Sequence, residues 1–311
     1  MIKAPVKMTR TLRISLLLGS ALAPFAAHAQ SLPAGGTVVR GSAEISASGN
    51  AMTITQNSDR AIINWQDFSI ARDGSVDVRA PDANSVLLNR VTGDATSVIA
   101  GRLSANGQVY LVNPNGIFIT KTGSVKAGGF VASTLDIGDD AFMQGGALSF
   151  AGTGGSVVNA GEISIVRGGY AALMGGEVDN RGLILAPYGK VAMAGGDRAT
   201  LDFGGDGFLQ VALSEGSSAS LTNSGSISAR GGAVILSGGQ AREAARNTVN
   251  LDEVDAATSV TRSGSSVVLG GSISATDGGR VTVTGSDIVL ESATIDVSGA
   301  AGGGAGGRTR R

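Results

Sequence analysis

The chain has 311 residues, of which 49 are glycine, one is histidine and none is cysteine, and its 24 basic side chains nearly balance 25 acidic ones. It can build no disulfide, thiolate nucleophile or cysteine-ligated metal site, and its charge leaves no footprint for nucleic acid. Hydrophobic residues make up 42% of the sequence, too many for simple disorder.

At the N-terminus Lys3, Lys7, Arg10 and Arg13 precede the apolar run from Ile14 to Ala27. Gly19, Ser20 and Pro24 break the run, and it falls short of the roughly 20 residues that cross a bilayer. It ends in Ala27-His28-Ala29, a small-x-small pattern, so residues 1–29 read as a signal peptide cut between Ala29 and Gln30. Cleavage removes the single histidine and four basic residues, leaving 20 basic against 25 acidic. Without His or Cys there is no Ser-His-Asp triad, no usual zinc ligand set and no haem attachment, so no catalytic residue, cofactor or metal is expected.

Beyond the leader, glycine mixed with Ala, Ser, Val, Thr and Ile disfavours helices and suits short strands between tight turns. Residues 30–150 read as the head of the molecule. Thr37-Val-Val39, Glu44-Ile-Ser46 and Met52-Thr-Ile54-Thr-Gln56 are expected cap strands, and Trp65 with Phe68 an apolar anchor. Val109 to Val112 and Ile117 to Thr120 are β-formers flanking Asn113-Pro114-Asn115-Gly116-Ile117. There Asn-Gly tolerates positive φ and proline fixes the bend, which makes a turn.

Residues 151–300 carry a repeat. Asn159-Ala-Gly161-Glu-Ile163 returns 21 residues later as Asn180-Arg-Gly182-Leu-Ile184, then as Asn223-Ser-Gly225-Ser-Ile227. A fourth copy, Gly271-Ser-Ile273, lacks the asparagine. A unit of that size buries its apolar side chains only by stacking on the next, so the expected fold is all-β, a parallel β-helix solenoid with an N-terminal β cap. At about 21 residues per coil the mature chain predicts about 13 coils and a rod of roughly 60 Å. The asparagines, at one corner of successive coils, are expected to hydrogen-bond along the rod. A leucine-rich repeat shares the period, but the recurring leucines and helical arcs are missing.

Carboxylates need a separate test, since two of them one coil apart can serve as acid and base. Asp136, Asp139, Asp140, Asp179, Asp197, Asp202 and Asp206 are the candidates, in no recognisable hydrolase or lyase motif. The Gly204-Gly-Asp-Gly207 turn does not reproduce a calcium-binding repeat. Ala241 to Val260 reads as a charged protruding loop or short helix, and residues 301–311 as a flexible Gly/Arg tail.

Three segments in order, Ile63 to Ile70, Ser85 to Val91 and Gly101 to Ile117, resemble the N-terminal haemagglutination-activity domain of filamentous haemagglutinin and related two-partner-secretion exoproteins. The resemblance covers residues 31–150 and implies a right-handed parallel β-helix. It implies recognition by a dedicated outer-membrane transporter with POTRA domains, transient membrane transit in an extended state and folding outside a Gram-negative cell. It also makes Asn113, Pro114, Asn115, Gly116 and Ile117 a secretion motif, acting by direct contact with the transporter or by shaping the cap. Such exoproteins are often far longer. The chain therefore reads as a fragment, a truncated product or a small member, with adhesion to host-cell or bacterial surface receptors as the leading activity. The export module of a truncated contact-dependent toxin and a polysaccharide-active β-helix enzyme are the alternatives.

Overall fold

The computed structural model describes residues 32–202, 209–212, 218–238, 265–285 and 287–298. The leader with the Ala29–Gln30 bond, Asp206, the Gly204 to Gly207 turn, Ala241 to Val260 and the tail lie outside them.

The described chain winds into a parallel β-helix with three strands per coil and therefore three faces. Face 1 stacks Ala51–Gln56, Ser75–Arg79, Arg102–Ala105, the first part of Ser124–Ser133, the first part of Glu162–Gly175, Leu183–Leu185, Ser226–Ser228, Ser272–Ser274 and Thr294–Asp296. Face 2 stacks Arg60–Trp65, Val86–Val91, Gln108–Val112, the second parts of the two long strands, Lys190–Gly195, Ala233–Gly238 and Arg280–Thr284. Face 3 stacks Ser97–Ile99, Ile117–Ile119, Ser156–Asn159, Glu177–Asn180, Ala219–Asn223, Ser265–Leu269 and Asp287–Leu290.

Register follows from what each strand turns inward. On face 1 Met52, Val76, Leu103, Val125, Ile163, Ile184, Ile227 and Ile273 pair in one aliphatic row and are all buried. A one-residue slip would turn that row to solvent, so the alternating pattern holds the register. The cap strands are found as Thr37–Arg40, antiparallel to Arg60–Trp65, and the hairpin Ala43–Ser48 with Ala51–Gln56. The hairpin's second strand is already the first rung of face 1.

The glycines explain how tightly coils stack. A Cβ on Gly161, Gly182 or Gly225 would collide with the carbonyl oxygen of the glycine one coil earlier, although none of the three has positive φ. Gly169, Gly189 and Gly232 form a second such column between faces 1 and 2. Close backbone approach, more than turn conformation, is what demands glycine there.

The coil count differs from the sequence expectation. Among the described residues nine strands stack on face 1, about 40 Å at one inter-strand spacing per coil, against the expected 13 coils and 60 Å. The difference arises because the connection between faces 2 and 3 is long in three coils, after Ser133, Gly195 and Gly238. One such excursion, residues 134–155, holds the helix Asp139–Gln144 and the strand Leu148–Ala151. That strand pairs antiparallel with Arg198–Leu201, which pairs in turn with Leu209–Ala212. This small sheet and helix lie over the outer side of face 2, where Ile62, Leu88, Tyr110, Val131, Phe142, Leu148, Phe150 and Met174 form a second core. Face 2 is consequently buried on both sides from Arg60–Trp65 to Lys190–Gly195.

Candidate functional site

The Asn113 to Ile117 block forms the corner between faces 2 and 3. Gly116 N donates to Asn113 O at 3.1 Å, closing a turn, and Gly116 takes φ +116°. Asn113 Oδ1 accepts from Asn115 N at 2.9 Å, a side-chain turn that fixes the bend from within. The corner is also tied to both neighbouring coils. Asn113 Nδ2 donates to Ala95 O at 2.9 Å and Ser97 Oγ at 3.0 Å, and Asn115 Nδ2 to Gly93 O at 2.8 Å. From the following coil, Gly155 N donates to Pro114 O at 2.9 Å. Asn113, Gly116 and Ile117 are buried, while Pro114 and Asn115 are exposed. The first group can act on a partner only through the shape of the corner, and the second can touch one.

The asparagines of the repeat stack as expected. Asn159 Nδ2 donates to Asn180 Oδ1 at 2.8 Å and Asn180 Nδ2 to Asn223 Oδ1 at 2.7 Å, with all three buried. Asn223 Nδ2 ends the ladder on Gly270 O at 3.1 Å, and Leu269 takes the next place in the row. Each rung satisfies the polar group below it, so the row carries buried amides without orphaned atoms.

Trp65 is a core anchor. Its ring meets Phe68 edge-on at 5.4 Å, and its Nε1 donates to Asn89 Oδ1 at 3.0 Å. Asn89, together with the Gly93 to Ser97 stretch that receives the Asn113 corner, was not singled out in the sequence. The signal was available in the spacing, because each sits one coil, 16 to 24 residues, from its partner.

Among the described residues, Asp136 and Asp139 meet on one arginine, and Asp140 and Asp179 each pair with another. Arg90 Nε donates to Asp136 at 2.8 Å and its Nη1 to Asp139 at 2.6 Å, while Nη2 reaches Ile137 O at 2.5 Å. Burial lowers the Arg90 pKa, but the bonds to Asp139 and Asp136 outweigh it and hold the guanidinium above its ordinary value. Arg40 pairs with Asp140 at 3.3 Å, and Arg60 Nη1 donates to Phe142 O at 2.8 Å. Three arginines thus clamp the excursion to the rod. Asp179, on face 3, pairs with Arg181 at 2.6 Å. The described residues contain no cluster of acidic or histidine side chains suited to a metal.

The family model for the TPS secretion domain matches residues 29–283. The chain belongs to this family. TPS secretion domains are parts of two-partner-secretion exoproteins, delivered through the Gram-negative periplasm to the cell surface or medium, and the family is not one of enzymes. Among curated proteins, the heme/hemopexin-binding protein of Haemophilus influenzae strain Rd is 38% identical over 212 residues, 65% of this chain and 23% of that protein. A second Haemophilus influenzae heme/hemopexin-binding protein is 44% identical over 86 residues, 28% of this chain and 9% of its own length. The chain thus aligns with about a quarter or less of these relatives. The HMW1 secretion domain from Haemophilus influenzae superposes with a TM-score of 0.67 at 29% identity, over 86% of this chain and 74% of that one. The filamentous hemagglutinin secretion domain covers 86% of this chain and 99% of its own, with a TM-score of 0.50 at 14% identity, a likeness of fold.

Proposed function

We propose that this TPS domain addresses the chain to a dedicated outer-membrane transporter carrying periplasmic POTRA domains, that the chain crosses extended, and that it folds on the outer side. The observation that carries this reading is the family match along most of the chain, together with a fold suited to the route. The β-helix has no disulfide to lock it early in the oxidising periplasm, and its coils can add one at a time as chain emerges. Residues 1–29 serve as the signal peptide, with processing between Ala29 and Gln30. The exported rod then acts in adhesion, offering its surface to receptors on host cells or other bacteria. The relatives whose names refer to heme and hemopexin align with this chain over a small part of their length. That likeness therefore supports the export role rather than a ligand.

Within the secretion motif, we assign Asn113, Gly116 and Ile117 to forming the corner and Pro114 and Asn115 to the surface presented to the transporter. The test is secretion into the medium with and without the cognate transporter, for the wild type, Asn113→Ala and Asn115→Ala. Refolding of each purified protein is followed by circular dichroism. Transporter-dependent secretion, lost in Asn115→Ala while refolding is kept, is the expected result. Wild-type chain that folds in the periplasm whether or not the transporter is present overturns the reading.

A further inference from the structure

A cavity of about 440 Å³ opens where the excursion's Gly146 meets the corner between faces 1 and 2. Its lining includes Arg60, Asn84, Gln108, Tyr110, Arg167 and Tyr170, and no acidic residue. Arg60 is half-buried and, among the described residues, pairs with no carboxylate; its guanidinium donates to Phe142 O and lies 5.3 Å from the Phe142 ring centroid. Arg167 likewise has no carboxylate partner among the described residues, and its guanidinium stacks 3.5 Å from the Tyr188 ring. Half-buried Arg60 and exposed Arg167 together give this open hollow a positive field that no carboxylate in its lining offsets. The nearby carboxylate of Asp82 is spent on its own turn, accepting from Asn84 N at 2.7 Å and Ser85 N at 2.9 Å.

The remaining lining supplies neutral hydrogen-bonding groups. Tyr110 and Tyr170 join hydroxyls at 2.8 Å, and Tyr170 donates to Gln108 Oε1 at 2.5 Å. That leaves Gln108 Nε2 and the side-chain amide of Asn84 with no hydrogen bond among the described residues. Guanidinium groups match a carboxylate, while free amides match hydroxyls. The volume falls in the range of small-molecule sites and holds one or two sugar rings.

We propose that this cavity binds a carboxylate-bearing sugar, a uronic acid unit of an acidic glycan. Arg60 and Arg167 meet its carboxylate, and Asn84 and Gln108 its hydroxyls. The proposal does not depend on the route of export, because it concerns the folded rod alone. Isothermal titration of the purified chain with sodium glucuronate and galacturonate tests it, with glucose and sodium acetate as controls. The expected result is saturable binding of the uronates, with glucose and acetate each at least about tenfold weaker, glucose for want of the charged partner and acetate for want of the hydroxyl contacts. Arg60→Met should lower uronate affinity by about tenfold or more. Because Arg60 also supports the excursion, the exposed substitutions Arg167→Ala and Val166→Asp, the latter placing a negative charge on the lining, should lower it as well. No saturable binding, equal binding of glucose, or equal affinity in Val166→Asp would overturn the proposal.

Discussion

Replacing Arg90 by methionine tests the idea that the excursion is held to the rod by charge as well as by its apolar underside. The guanidinium is 13% exposed, whereas its partners Asp136 and Asp139 are 49% and 33% exposed. An exposed pair contributes about 0.2–1 kcal/mol, and breaking a buried one costs about 3–5 kcal/mol. This intermediate arrangement, with two carboxylates and the Ile137 carbonyl released together, should cost about 2–3 kcal/mol. The loss should be local, since Phe142, Leu148 and Phe150 pack on the outer side of face 2 rather than inside the coils. Hydrogen exchange at Phe142 and Gly145, whose amides donate within the helix, reads the loss where it arises. Urea unfolding of the whole chain reports only part of it, because repeat arrays need not unfold in one step. The triple variant Arg90→Met with Asp136→Asn and Asp139→Asn should recover part of the loss, as no carboxylate is left uncompensated. A change below about 0.5 kcal/mol in that exchange would refute the clamp.

The asparagine ladder yields a second expectation. Asn180→Leu removes the middle rung and leaves Asn223 Oδ1 without its donor, costing about 2–4 kcal/mol in denaturant unfolding. Leucine replacing Asn159, Asn180 and Asn223 together should cost less than the three single losses summed, because Leu269 already fills that row. Strict additivity would count against a coupled ladder. The third concerns alkaline pH. Burial pushes the Tyr110 and Tyr170 hydroxyls well above the usual tyrosine range, so both stay neutral in the folded chain. The folded state is favoured fully below the unfolded tyrosine pKa of about 10, and that contribution is lost as pH rises beyond it. Their phenolate absorbance should therefore appear together with unfolding, and ionisation of both without loss of circular dichroism would contradict the burial.

Much of the rod was legible because a solenoid writes its contacts at a fixed spacing. The 21-residue step from Asn159 to Asn180 named two residues that prove to touch, and the cap strands and the Trp65 anchor followed from local pattern. The second core was not read, although the sequence carries its mark. Val86-Leu-Leu88 and Val109-Tyr-Leu-Val112 are unbroken apolar runs, the pattern of a strand buried on both faces rather than one. What covers them could not be inferred, since the excursion's hold on Arg40, Arg60 and Arg90 spans 46 to 100 residues without a periodic signal. The corner geometry of Asn113 to Gly116 was legible as a turn, but its ties to Gly93, Ala95 and Gly155 depend on which coils lie beside it.

The two glycine columns leave the three corners of the coil unequal. Two corners stack backbone on backbone at their glycine columns, and each passes from coil to coil in a short connection. Lengthening falls at the third corner, after Ser133, Gly195 and Gly238, and it accounts for the 43 residues between Asn180 and Asn223 against 21 in the coil before. Doubling a flexible loop costs only about 0.6 kcal/mol in closure entropy. Away from the Asn113 to Ile117 corner and the clamped excursion of residues 134–155, sequence can therefore be gained or exchanged along that one edge, which makes it the natural place for grafting foreign peptides.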